Sequence, residues 1–256
     1  MKLYTALSYS VSSDLEYYGD VIEDFLSSYW AIISQKKGIV TLQKHKKHFF
    51  LDSGAFSAFT KNINININEY IAFILDNKNI IKQYSALDVI GDWEKTKKNQ
   101  EYMESKGLTP IPTFHYNSPI KELERMIKEY DYIALGGLVP LALHKKVLKS
   151  WLDTCFSIIK DKCKIHGFGV NALWAWERYP FYSVDSTSAF EGSRRGTISK
   201  SGKRLNPRNS MLAFSLIDRN NIKKYKGRAR FMIKDNIVKA KQITKLWETR
   251  GIKWED

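Results

Sequence analysis

What most restricts the fold of this chain is an alternation. Short apolar runs take turns with longer stretches of helical periodicity from residue 2 to residue 190. KLYTALSY at 2–9 precedes SSDLEYYGDVIEDFLSSYWAII at 12–33, which reads as one amphipathic helix capped by Ser12 or Ser13. HFFLDSGAF precedes the helical NEYIAFILDN, and QYSALDVIGD precedes WEKTKKNQEYMESKG, which closes on Gly107. TPIPTFHY leads into SPIKELERMIKEY, with Pro119 near the start of the helix, and DYIALGGL leads into HKKVLKSWLDTCFSIIK. CKIHGFGV with NALWAWERY, and then FYSVDSTSAF, complete the series. Strands joined by crossover helices pair in parallel. Seven such units, with an eighth strand expected after residue 196, favour an α/β fold of the closed (β/α)8 TIM-barrel kind, and 256 residues suit one such domain over 1–256. An open dinucleotide-binding sheet would need a G-x-G-x-x-G turn after the first strand, and none stands there.

NINININ at 62–68 alternates perfectly, yet it falls in a connection without a turn signal of its own. It reads as a loop leading to a helix capped near Asn68. Hydrophobic residues make up 43% of the chain, enough for a sizeable core, and no apolar run approaches the ~18 residues of a membrane span. The first residues lack the apolar block of a signal peptide, so a soluble, cytoplasmic protein with no membrane partner is expected. Cys155 and Cys163 fit neither a disulfide framework nor a metal knuckle and read as reduced thiols.

The net charge of +14 is unevenly placed: residues 194–256 hold 18 of the 41 Lys+Arg and 5 of the 27 Asp+Glu. A basic segment of this kind is the footprint of a polyanion binder, because each neutralised phosphate releases condensed counterions. The competing reading is a solvated lysine-rich face.

In a parallel barrel the loops that follow the strands converge on one face, which carries the chemistry. The strand ends here supply Asp52, Asp88, His115, Gly136 with Gly137, HGFG at 166–169, and Asp185. Any one of the acids could cap the next helix, although Asp52 and Asp185 are each followed by small or hydroxylic residues able to cap instead. His166 reads as a core histidine. His45 and His48, set among lysines, read as a surface turn, and Glu191 is as well suited to bridging Arg194 or Arg195 as to chemistry.

Together these residues amount to a resemblance. LDSGAF resembles the D-S-G-G-F motif of the tRNA-guanine transglycosylase superfamily, and ALDVIGD, ALGGL, HGFGV and SVDSTSAFEGSRRGTISKSGKRLNPRN resemble that family's later motifs in the same order. The resemblance spans residues 48–210 and implies a barrel that exchanges guanine in a nucleic acid for a 7-deazaguanine without cutting the backbone. It assigns Asp185 as the nucleophile that forms a glycosyl-enzyme intermediate and Asp52 as the acid/base. Asp88 would accept hydrogen bonds from the purine, and Gly136 and Gly137 would offer backbone N–H groups to the base carbonyl. His115 stands where the tRNA enzymes have glutamine, and Phe56, Phe114, Trp174 and Trp176 are candidates to sandwich the base. Arg194 and Arg195 fall in the family's basic loop. They are expected to contact phosphates or flanking bases, and Lys200, Lys203, Arg204 and Arg208, and beyond them Lys223, Lys224, Lys226, Arg228 and Arg230, to contact phosphates.

The tRNA enzymes follow that loop with a Cys/Cys/Cys/His zinc subdomain. Residues 211–256 contain neither cysteine nor histidine, so no zinc subdomain, metal or other cofactor is expected. Without it the chain is more similar to the DNA-guanine transglycosylases of bacteria and phages, the DpdA type, whose products protect DNA from restriction. DNA is then the expected partner, with a base such as preQ0 as co-substrate, the host cytoplasm as the setting if the chain is phage-encoded, and a homodimer as one open arrangement. A zinc-free enzyme acting on tRNA, a non-catalytic nucleic-acid-binding subunit and a barrel glycosidase remain as alternatives.

Overall fold

The computed structural model describes residues 1–7, 11–35, 38–44, 49–194, 198–200, 203–205 and 225–254, with backbone alone at 192–194, 198–200, 203–205 and 225. In chain order the elements are β1 (Lys2–Ala6), α1 (Val11–Tyr18), β2 (Asp24–Ser28), α2 (Tyr29–Ile33), α3 (Gly38–Lys44), β3 (Phe49–Asp52), α4 (Ala55–Lys61), α5 (Ile67–Asp76) and β4 (Ile81–Tyr84). There follow α6 (Trp93–Ser105), β5 (Thr113–His115), α7 (Ile120–Glu129), β6 (Tyr132–Gly136), a 3-10 turn (Val139–Leu143), α8 (Lys145–Ile159), β7 (Lys164–Gly167), α9 (Leu173–Arg178), β8 (Ser183–Ser186) and α10 (Ser188–Arg194). The hairpin β9 (Ile198–Lys200) and β10 (Lys203–Leu205) and the long α11 (Tyr225–Thr249) complete the described elements.

Eight strands form one all-parallel sheet in the order β4-β3-β2-β1-β8-β7-β6-β5. Its two edges come together at a parallel bridge between Ser85 and Ile111. There Ile111 N–H donates to the Tyr84 carbonyl at 2.8 Å and Ala86 N–H to the Ile111 carbonyl at 3.0 Å. The sheet is therefore curled and compatible with a (β/α)8 barrel, with strands neighbouring in chain order.

The eighth strand is not where the sequence pattern suggested. It is β2, inside the stretch read as one helix. Gly19 ends α1, its N–H bonding the Leu15 carbonyl at 2.8 Å, and DFLSS then pairs with both β1 and β3. Phe25 packs outward beside Phe49, while Leu26 faces the interior with Phe50. A parallel strand buried on both faces shows consecutive apolar residues, and in a short window that imitates a helical stripe. The chain after residue 196 instead forms the antiparallel β9–β10 hairpin, outside the eight-stranded sheet.

Tyr4, Ala6, Leu26, Phe50, Ile111 and Ala134 fill the interior, and two larger apolar layers lie between strands and helices. Phe50 is fully buried and touches Tyr4, His166 and Phe168 edge-on or tilted, so Phe50→Ala should cost roughly 3–5 kcal/mol. Helix ends follow their local chemistry. The Asn66 side chain, not Asn68, caps α5 by accepting from Asn68 and Glu69 N–H. Gly107, at φ +77°, closes α6 while Leu108 N–H reaches back to the Met103 carbonyl.

The basic quarter divides in two. Along α11, Ala229, Met232, Ile233, Ala240, Ile243 and Trp247 are buried, and Trp247 Nε1–H donates to the Trp176 carbonyl at 2.8 Å. Arg230 is paired with Asp20 at 2.6 Å, Lys241 with Glu23 at 2.6 Å, and buried Lys239 with Asp235 at 2.5 Å. Lys226 lies over the Tyr17 ring. Of the residues expected to contact phosphates, Arg230 is thus engaged by a carboxylate and Lys226 by an aromatic face. No helix among the described residues is long and apolar enough to cross a membrane.

Candidate active site

Strand side chains alternate, so every second residue faces the interior. Asp52 follows two residues after the inward Phe50, His115 four after Ile111, and Gly136 two after Ala134. Asp185 follows two residues after Ser183, whose hydroxyl meets Tyr132 and His166 inside the sheet. Asp52, His115, Gly136 and Asp185 therefore share the interior at the C-terminal ends of β3, β5, β6 and β8. Asp88 joins them from the loop after β4.

Contacts confirm the convergence. His115 Nε2 lies 2.8 Å from Asp88 Oδ2, and the Ser53 hydroxyl donates to Asp88 Oδ1 at 2.5 Å. Ser53 is itself held from behind, its N–H donating to Ser85 Oγ at 3.0 Å. Asp52 Oδ2 accepts the Gly54 N–H at 3.2 Å. Burial, then the charges of Asp88 and Asp185, raise the Asp52 carboxyl from 3.8 to about 8, so it holds its proton at neutral pH. Asp185, nearly buried, takes the Gly169 N–H on Oδ1 at 2.7 Å.

None of the three acids caps a helix. Asp92 caps α6 through Lys95 N–H, Gly54 stands at the start of α4, and Ser186 Oγ takes the Ser188 N–H at the start of α10. Capping thus accounts for a neighbouring acid and leaves the cluster unexplained.

The other expected residues divide. Phe56, on the first turn of α4, is 48% exposed and free to meet a ligand face. Phe114 is buried and stacked on Trp151 at 5.6 Å, and Trp176 is buried with its indole N–H on the Val170 carbonyl, so both belong to the packing between sheet and helices. Trp174, beneath Lys145, sits at the edge of that packing. A Cβ at Gly136 would come within 2.7 Å of His115 Cδ2 and of Thr113 Cγ2, so this glycine makes room for His115. Gly137 takes φ +70°, which favours glycine. The backbone places Arg194 on α10, Lys200 on β9, and Lys203 and Arg204 on β10. Their side chains, together with Arg195, Arg208, Lys223 and Lys224, lie outside the described residues.

Three partners escaped the sequence reading. Ser53 and Gly169 hold the acids, and His166, set aside as a core histidine, is wholly buried yet has Nε2 3.4 Å from Asp185 Oδ1. The two-residue period could have placed His166 on the inner face with Phe168, though not beside Asp185. Among the described residues no group of three or more His, Cys, Asp or Glu side chains is arranged to hold a metal.

Neither a protein-family model nor a curated protein matches the chain.

Proposed function

We propose that this chain is a guanine transglycosylase of (β/α)8 type that replaces guanine in DNA with a 7-deazaguanine through a glycosyl-aspartate intermediate. The observation that carries the reading is the convergence of three strand-end acids in unlike surroundings, with Asp52 holding a proton at neutral pH and Asp185 fixed by a backbone N–H. Asp185 attacks C1′, the C1′–N9 bond breaks with its electron pair passing to guanine, and Asp52 donates its proton to the departing base. Asp52, now a carboxylate, removes the N9 proton of the incoming base, whose nitrogen attacks C1′ and expels Asp185. Asp88 retains lone pairs beyond those used by Ser53 and His115, so it can accept from the purine N1–H and exocyclic amine.

DNA is favoured over tRNA because residues 211–256 lack the ligands of a zinc subdomain, while residues 194–256 carry most of the net positive charge. A guanine in duplex DNA must leave the stack to reach a barrel mouth. The +14 chain provides phosphate attraction to offset that unstacking. The test is incubation with radiolabelled guanine and either DNA or tRNA. Label entering DNA, and an adduct lost in Asp185→Ala, are the expected results; label entering tRNA alone would move the substrate, and label in neither would end the reading.

A further inference from the structure

His166 occupies an unusual position for a core histidine. Its ring is walled by Tyr4, Phe50 and Phe168 at centroid distances of 6.0, 4.9 and 4.5 Å, and it is wholly buried. Nδ1 is 2.6 Å from Ser183 Oγ, which is in turn 2.6 Å from the Tyr132 hydroxyl. Among the described residues Nε2 has no hydrogen-bond partner, and the polar atom beside it is Asp185 Oδ1 at 3.4 Å. A buried ring nitrogen left unpaired costs about 1–3 kcal/mol, so such an atom calls for a reason.

We propose that His166 is a positioning residue for Asp185, its tautomer set by the buried chain Tyr132–Ser183–His166, so that Nε2–H and the Gly169 N–H together cradle Oδ1 and leave Oδ2 as the attacking atom. Proton directions along the chain are consistent. Burial holds the Tyr132 phenol well above its ordinary range, so Tyr132 remains a donor. If Tyr132 donates to Ser183, Ser183 donates to Nδ1, and a neutral imidazole must then carry its proton on Nε2, facing the carboxylate.

The consequence for the proposed reaction, on which this inference rests, falls on the step that frees Asp185. In the glycosyl-aspartate, Oδ1 is the ester carbonyl oxygen. When the incoming base attacks C1′ the carboxylate charge returns to a group whose Oδ1 already accepts the Gly169 N–H and lies 3.4 Å from His166 Nε2. Loss of the chain should slow release of the intermediate more than it weakens substrate binding. Tyr132 also lines a cleft of about 580 Å³ beside β4 and the start of β6, so the chain runs from that cleft to the carboxylate proposed to react.

Two measurements test this. In the full-length protein, 15N NMR of the His166 ring should show the Nε2–H tautomer, and Ser183→Ala should lose it. In exchange assays Ser183→Ala should lower kcat about 10- to 100-fold with KM unchanged and with the covalent adduct persisting longer. Tyr132→Phe, which removes one hydroxyl at the far end, should act in the same direction more weakly and serves if Ser183→Ala does not fold. An Nδ1–H tautomer in the unaltered protein, or unchanged kcat and adduct lifetime in the folded variants, overturns the proposal. Absence of any adduct in the unaltered protein overturns the transglycosylase reading, and the tautomer then decides the wiring alone.

Discussion

The ends of β3 and β8 both carry an inward aspartate, and the two are surrounded in opposite ways. Asp52 has Asp88, from the loop after β4, and Asp185 of β8 as neighbours, and that company, added to burial, keeps it protonated. Asp185 has a backbone N–H and an imidazole nitrogen. The contrast teaches that equivalent strand-end positions acquire different electrostatic character from what the adjacent strands bring, rather than from the residue type they hold.

The sharpest way to break the comparison is to neutralise each acid in turn. Asp185→Asn should reduce base exchange at least about 1,000-fold and abolish adduct trapping, while folding and DNA binding persist. Asp52→Asn should slow exchange by about 10²- to 10⁴-fold and still allow slow trapping, because the nucleophile remains. Equal behaviour of the two variants in trapping would mean that the acids are not differentiated.

The electrostatic half of the contrast is read from pH. With Asp52 at about 8, kcat/KM for the nucleic acid should fall as pH rises through that value, since the first step needs the protonated acid. Asp88→Asn removes the like charge that raises Asp52 the more and should move the fall to lower pH. A limb that stays in place would show that the Asp88 charge does not set Asp52.

The same group links stability to pH. Asp52 binds its proton in the fold and releases it in the unfolded chain between 3.8 and about 8, so its contribution declines as pH rises across that window and is constant above it. Asp52→Asn cannot ionise, and its stability relative to the unaltered protein should grow from pH 4 to pH 8 by about 1.4 kcal/mol for each pH unit crossed, checked by denaturant unfolding at the two pH values. The smallest expected effect is that of Phe56→Ala. It should raise KM for the nucleic acid without changing the pH profile, with about 1–3 kcal/mol of stacking at stake.

The strand-end acids were legible in the sequence because the period of two and the loop geometry put them on one face whatever the flanking helices do. β2 was not, because a strand buried on both faces carries the apolar density of a helix. Net charge could not show that cations of α11, such as Lys239 and Arg230, are paired, because counting charges does not reveal which have partners. His166 beside Asp185 depends on the register of β7 against β8, which pairs His166 with Ser183 and which no local pattern encodes.

One joint in the sheet has a mechanical reading. β4 and β5 meet through a single bridge, whereas neighbouring strand pairs share two to four register positions. The Asp88–His115 contact spans this same joint from above. It is the clasp on the least stitched side of the barrel, and Asp88 is also the carboxylate proposed to greet the purine. A base that draws Asp88 away would tug on the clasp, so amide exchange at Ala86 and Ile111 should register the arrival of a guanine before any bond to sugar is touched.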